Sequence, residues 1–99
     1  MSMNEVSQII NDQAKFLTFL KSKFTLIHMS NLFFRDIHYG VMDYLAENGS
    51  KVRYLEAEKI AREVAEGLEK NGILKKIDHQ SWLLNYPDFA LPRVDKKAS

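Results

Sequence analysis

The chain has 99 residues, with 14 Lys+Arg against 13 Asp+Glu, 45% apolar residues and 27% charged ones. That balance describes one globular domain able to bury roughly 65% of its unfolded surface, and it excludes a disordered tail, a collagen-like or repeat chain and a multidomain enzyme. With no cysteine there is no disulfide framework, thiol nucleophile or cysteine zinc site, which suits a cytoplasmic setting.

The first element is a helix expected over residues 3–24. Successive residues sit about 100° apart on a helical wheel, which gathers Val6, Ile9, Ile10, Phe16, Leu17, Leu20 and Phe24 on one arc. Ser2-Met3-Asn4-Glu5 has the pattern of a capping box, a serine hydroxyl and a glutamate carboxylate closing the first turn. Residues 1–11 lack the basic start and apolar core of a secretory signal. The longest apolar stretch, Phe16–Met29, is interrupted by Lys21 and Lys23, so no membrane span is expected. Residues 21–30 either prolong the helix or form an extended connector.

A second helix is expected over 31–48, capped by Ser30 or Asn31 and closed by Gly49 in the left-handed conformation. Its buried arc is Phe33, Phe34, Ile37, Val41, Tyr44 and Leu45, and Gly40 lies at the edge, where another backbone can come close. Residues 51–54 alternate and predict a short strand. The third helix, 55–71, buries Ala57, Ile60, Ala61, Val64 and Leu68 and stops at Gly72. The period then changes from 3.6 to 2. Ile73–Ile77 and Trp82–Tyr86 flank Asp78-His79-Gln80-Ser81, which predicts a hairpin over 73–86 with a four-residue loop. Pro87 ends the second strand. In the tail, 87–99, Phe89, Leu91 and Val94 can anchor to the domain, and 95–99 fray. The expected fold is mainly α with a C-terminal β-hairpin (α+β): three helices plus the hairpin, in one domain over 1–99.

Three stretches carry a resemblance: Val41-Met42-Asp43-Tyr44-Leu45-Ala46-Glu47-Asn48-Gly49, then Glu58-Lys59-Ile60-Ala61, then Leu68-Glu69-Lys70-Asn71-Gly72-Ile73-Leu74-Lys75-Lys76. Over about residues 32–86 the chain resembles the winged-helix superfamily, whose last helix runs through a similar glycine junction into the wing. The resemblance implies a modified winged-helix architecture and nucleic-acid binding. One departure bears on that implication. Between Leu55 and Gly72 there is room for a single helix with no internal turn, where a winged-helix DNA reader packs two short ones.

The chemistry argues against a reader helix. Its outer face carries Glu56, Glu58, Glu63, Glu66 and Glu69 against Lys59, Arg62 and Lys70, and a net negative face repels phosphates. Glu58 with Arg62 and Glu66 with Lys70 have the acid-first i,i+4 spacing of paired surface charges. Lys51, Arg53, Lys75 and Lys76 form one basic patch only if Val52–Tyr54 pairs with the hairpin; alternatively the lysines protect an exposed strand edge from other strands. Arg93, Lys96 and Lys97 add cations in the tail.

Enzyme chemistry has no constellation to stand on. His28, His38 and His79 fall one per segment without metal-ligand spacing, so neither a metal nor a cofactor is expected. His38 beside the apolar arc is expected to be packed and hydrogen-bonded, and His79 to be solvated in the hairpin loop. Asp36 and Asp43 lack a histidine or serine partner.

Phe19, Leu32 and Tyr39 fall outside the buried arcs, with Met42 at the margin. Large apolar residues on different helices either meet a protein partner or are covered by the hairpin and tail of the same chain. The function expected is a small non-enzymatic protein–protein interaction or assembly module, a homodimer or other homo-oligomer, with Phe19, Leu32, Tyr39 and Met42 as interface. No membrane and no small-molecule substrate is expected. The alternative is a winged-helix transcriptional regulator that holds duplex DNA phosphates with Lys51, Arg53, Lys75 and Lys76.

Overall fold

The computed structural model describes residues 2–90, with side chains from residue 5 onward. Its elements are helices α1 (Ser2–Asn11) and α2 (Gln13–Lys23), strand β1 (Asn31–Phe33), helices α3 (Phe34–Glu47) and α4 (Tyr54–Lys70), strands β2 (Leu74–Asp78) and β3 (Ser81–Leu84), and a 3-10 turn at Pro87–Phe89. The architecture is α+β: four helices and a three-stranded antiparallel sheet in the order β1-β3-β2. Among the described residues no helix is long and apolar enough to cross a membrane.

The expected first helix is two helices. It breaks at Asp12, whose φ of -127° and ψ of 42° leave the helical region. The halves serve different neighbours: α1 packs on α4, and α2 packs on α3. One straight rod cannot turn Ile9 to one helix and Phe16, Leu17 and Leu20 to another, and the Asn11-Asp12 pair gives way readily because its side chains compete for backbone hydrogen bonds. The Ser2–Glu5 capping box depends on the Ser2 side chain, which lies outside the described residues, as do Leu91, Val94 and the rest of the tail.

Of residues 21–30, the first three prolong α2 and 24–30 form the connector, in which Met29 has a left-handed φ of 70°. The second helix begins three residues later than expected. Asn31-Leu32-Phe33 is extended and pairs antiparallel with β3 in the register Asn31↔Leu83, Leu32↔Trp82, Phe33↔Ser81. Leu32 therefore faces the core at 1% exposure, and Phe33, assigned to the buried arc, is 50% exposed on the other face. Ser30 does not cap α3; its hydroxyl donates to the Ile27 carbonyl at 2.6 Å and closes the preceding turn. The third strand expected at 51–54 is absent: residues 51–53 are irregular and Tyr54 already opens α4.

Both helix stops form as the glycines require. Ser50 N–H donates to Leu45 O and Gly49 N–H to Ala46 O, and Ile73 and Gly72 repeat the pattern on Leu68 and Glu69. These are Schellman closures, with Gly49 and Gly72 at φ of 86° and 79°. The hairpin is tighter than expected. Asp78 and Ser81 are paired, which leaves His79-Gln80 as the loop, and the strand register shifts between Lys76 and Asp78. The second strand ends at Leu84 rather than Tyr86, and Pro87 opens the 3-10 turn.

The core gathers on α4, whose stripe of Ala57, Ile60, Ala61, Val64, Ala65 and Leu68 is at most 1% exposed. Gly40 lets α2 close on α3: a Cβ there would collide with Leu20 Cδ2. Ile60→Ala is expected to cost about 2–5 kcal/mol in urea unfolding and Gly40→Ala about 1–3 kcal/mol, because the first opens a cavity and the second overpacks. Glu63→Ala, on the solvent face, is expected to stay within about 0.5 kcal/mol; a large loss there would place α4 the wrong way round.

Candidate functional site

The start of α3, the first half of α4 and the hairpin loop line a groove of about 300 Å³. Phe34 and His38, one helical turn apart on α3, form its floor, and Tyr54 closes one side. His38 is 4% exposed, and its Nε2 lies 3.0 Å from the Tyr54 carbonyl. A carbonyl only accepts, so Nε2 carries the hydrogen and the ring latches α3 to the start of α4. The aromatic contact continues outward: His38 to Tyr54 at 4.3 Å between centroids, His38 stacked on Tyr39 at 5.7 Å, and Tyr39 edge-on to Tyr54 at 6.4 Å. The Tyr54 hydroxyl titrates above its ordinary 10.0, chiefly because its ionised form would face Tyr39; desolvation, a hydrogen bond with Tyr39 and the charge of Glu58 act in the same direction.

Arg35, Glu58, Arg62 and Gln80 supply the polar lining. The Arg62 guanidinium carbon sits 3.9 Å from the centre of the Phe34 ring, and Nη1 donates to the His79 carbonyl at 3.0 Å. The expected Glu58–Arg62 surface pair is thus replaced by a cation–π contact and a tether to the hairpin. Glu69, counted among the outer acids, accepts from Trp82 Nε1 at 3.2 Å. The loop itself is shaped by Asp78, whose Oδ1 accepts from Gln80 N–H at 2.8 Å and from the Ser81 hydroxyl at 3.0 Å.

The expected interface residues do not form one surface. Leu32 is in the core and unavailable to a partner. Phe19 is half-buried, edge-on to Tyr44 at 5.4 Å, and Met42 is half-buried. Tyr39, 44% exposed, stands against Tyr54, which lines the groove and is 52% exposed, and Leu55, next to Tyr54 in the chain, is 69% exposed. The meeting of Tyr39 with Tyr54 comes from the packing of α3 on α4.

The cations expected to bind phosphates are not united either. Lys51 and Arg53 lie in the irregular entry to α4, and Lys75 and Lys76 on the edge strand β2. The pairing meant to join them is made by Asn31–Phe33 on the other side of β3. Lys75 and Lys76, as successive strand residues, point to opposite sheet faces. His28, half-buried, accepts the Tyr86 N–H on Nδ1 at 3.0 Å, and His79 is exposed. Among the described residues no group of three or more His, Asp or Glu could hold a metal ion.

Asp78 holds the loop that carries the His79 and Gln80 carbonyls, and its carboxyl titrates below its ordinary 3.8, mainly through the Gln80 N–H and the Ser81 hydroxyl. A lowered folded-state value contributes stability that is present above the ordinary value and lost as pH falls through the folded one. The melting-temperature gap between wild type and Asp78→Ala should accordingly be constant near neutrality and shrink only below about pH 4. A gap unchanged into strong acid would show that the carboxylate does not hold the loop.

Comparison with known protein families, with curated proteins and with solved structures finds no match. The chemistry of this surface is therefore the basis for a function.

Proposed function

We propose that the protein is a non-enzymatic protein–protein interaction module that docks another chain, or a second copy of itself, on the aromatic rim of the α3–α4 groove. The observation that carries this reading is the contact of two exposed tyrosines, Tyr39 and Tyr54, at 44% and 52%, with Leu55 next in the chain at 69%. Scattered apolar residues need no explanation, but neighbouring ones around a polar groove resemble an interface, where tyrosine and arginine supply most of the energy. Covering them would contribute roughly 25 cal/mol per Å² of apolar area.

The polar groups support binding rather than catalysis. His38 is engaged by the Tyr54 carbonyl and His28 by the Tyr86 amide. Arg62 is engaged by Phe34 and His79. The groove volume of about 300 Å³ is at the low end of the roughly 300–1,000 Å³ of small-molecule sites. Duplex binding as a winged-helix regulator has less support, because its four cations stand on two separate elements.

A photo-crosslinking residue in place of Leu55 should give protein adducts in the native cells, and one in place of Glu63, about two helical turns further along α4 and outside the groove lining, should not. Light scattering from micromolar to millimolar concentration then separates the partners: a mass rising above 11.5 kDa identifies a second copy. No adduct at position 55 together with a constant mass would overturn the interaction reading.

A further inference from the structure

We infer that the groove between α3, α4 and the hairpin loop receives an acidic peptide segment of a partner protein, its carboxylate held by Arg62 and Arg35 and its neighbouring apolar side chain laid on Phe34, His38 and Tyr54. This rests on the interaction reading and names the partner's chemistry.

The inference starts from Arg62. An exposed arginine must surrender rotamer freedom when it binds, and that loss weakens the contact. Arg62 has already surrendered it: the Phe34 ring lies under its guanidinium at 3.9 Å, and the His79 carbonyl holds Nη1 at 3.0 Å. A guanidinium has five N–H donors in a fixed plane, so the remaining ones are presented in an orientation that suits a carboxylate fork. Arg35 lines the same groove from the first turn of α3. Among the described residues neither arginine is paired with a carboxylate of this chain. Two arginines against Glu58 alone leave the lining net positive, so charge complementarity favours an anionic occupant.

A peptide fits better than a nucleic-acid backbone. Three of the seven lining residues, Phe34, His38 and Tyr54, are aromatic, and an incoming leucine or phenylalanine uses them while a phosphate does not. A phosphate chain continuing along α4 would also meet the exposed Glu56, Glu63 and Glu66. A single carboxylate beside an apolar residue meets two arginines against one acid, Glu58.

The test is to pan a phage-displayed library of random peptides against the full chain and to measure the enriched sequences as fluorescein-labelled synthetic peptides. The expected peptides carry Asp or Glu next to Leu, Phe, Tyr or Trp. Their Kd should rise about tenfold in Arg62→Gln, equivalent to about 1.4 kcal/mol, and also when the peptide acid becomes its amide. Arg35→Gln should weaken binding in the same direction, and because Arg35 is exposed it remains decisive if Arg62→Gln fails to fold. Enrichment of basic or wholly apolar peptides whose binding is lost in Tyr54→Ala overturns the acidic occupant and leaves the interaction reading standing. If no peptide enriches, the acidic-peptide inference fails, and position 55 crosslinking decides the wider reading separately. Salt-sensitive binding of a DNA duplex lost in both arginine variants overturns it in favour of a phosphate ligand.

Discussion

The structure depends on the apolar stripe of α4. Ala57, Ile60, Ala61, Val64, Ala65 and Leu68 recur at helical spacing and are nearly inaccessible, and α1, α3 and β2 all pack against this helix. Three of the six are alanines, so neighbours approach the helix axis closely while Ile60, Val64 and Leu68 fill the spaces between them. A stripe of this kind is hydrophobic enough to organise a small domain yet narrow enough to leave the remaining face to Glu56, Lys59, Glu63 and Glu66.

The second organising feature is the hairpin loop, which acts as a clasp. Its two residues offer their carbonyls in different directions: Gln80 accepts the first N–H of α3 at 2.8 Å, and His79 accepts Arg62 of α4 at 3.0 Å. Each bond is worth only about 1 kcal/mol net, but together they set the distance between the start of α3 and the middle of α4. The groove exists because of that spacing. His38 adds a third link, from the α3 interior to the Tyr54 carbonyl, so the aromatic floor is held from both sides. Such prior ordering is what makes an arginine-and-aromatic surface useful to a partner, since little freedom is left to lose on docking.

The division of the exposed aromatics follows from the same packing. Phe19 is drawn against Tyr44, and Leu32 is paired across the strands with Trp82, so both are used internally. Tyr39 and Tyr54 are brought together without being covered. Sequence periodicity located Tyr39 outside its helix's buried arc correctly, because that arc is a property of one helix. It had no access to Tyr54 as its companion, since their meeting depends on how two helices cross. The arginine of the site was likewise visible only as half of an i,i+4 pair; that its guanidinium would lie on Phe34 required knowing that β1 displaces the start of α3.

Helix identity, both glycine closures and the position of the hairpin were written in local spacing, because period, left-handed glycine and strand alternation act over a few residues. Pairing of distant segments was not. Asn31-Leu32-Phe33 is too short to announce a strand, and it becomes one because β3 offers an open edge beside it. Asp12 breaks a rod whose two halves are each good helix, because α4 and α3 pull their apolar faces in different directions. Sequence determined the elements and their faces; the tertiary structure decided which faces meet, because that choice is made by competition among segments far apart along the chain.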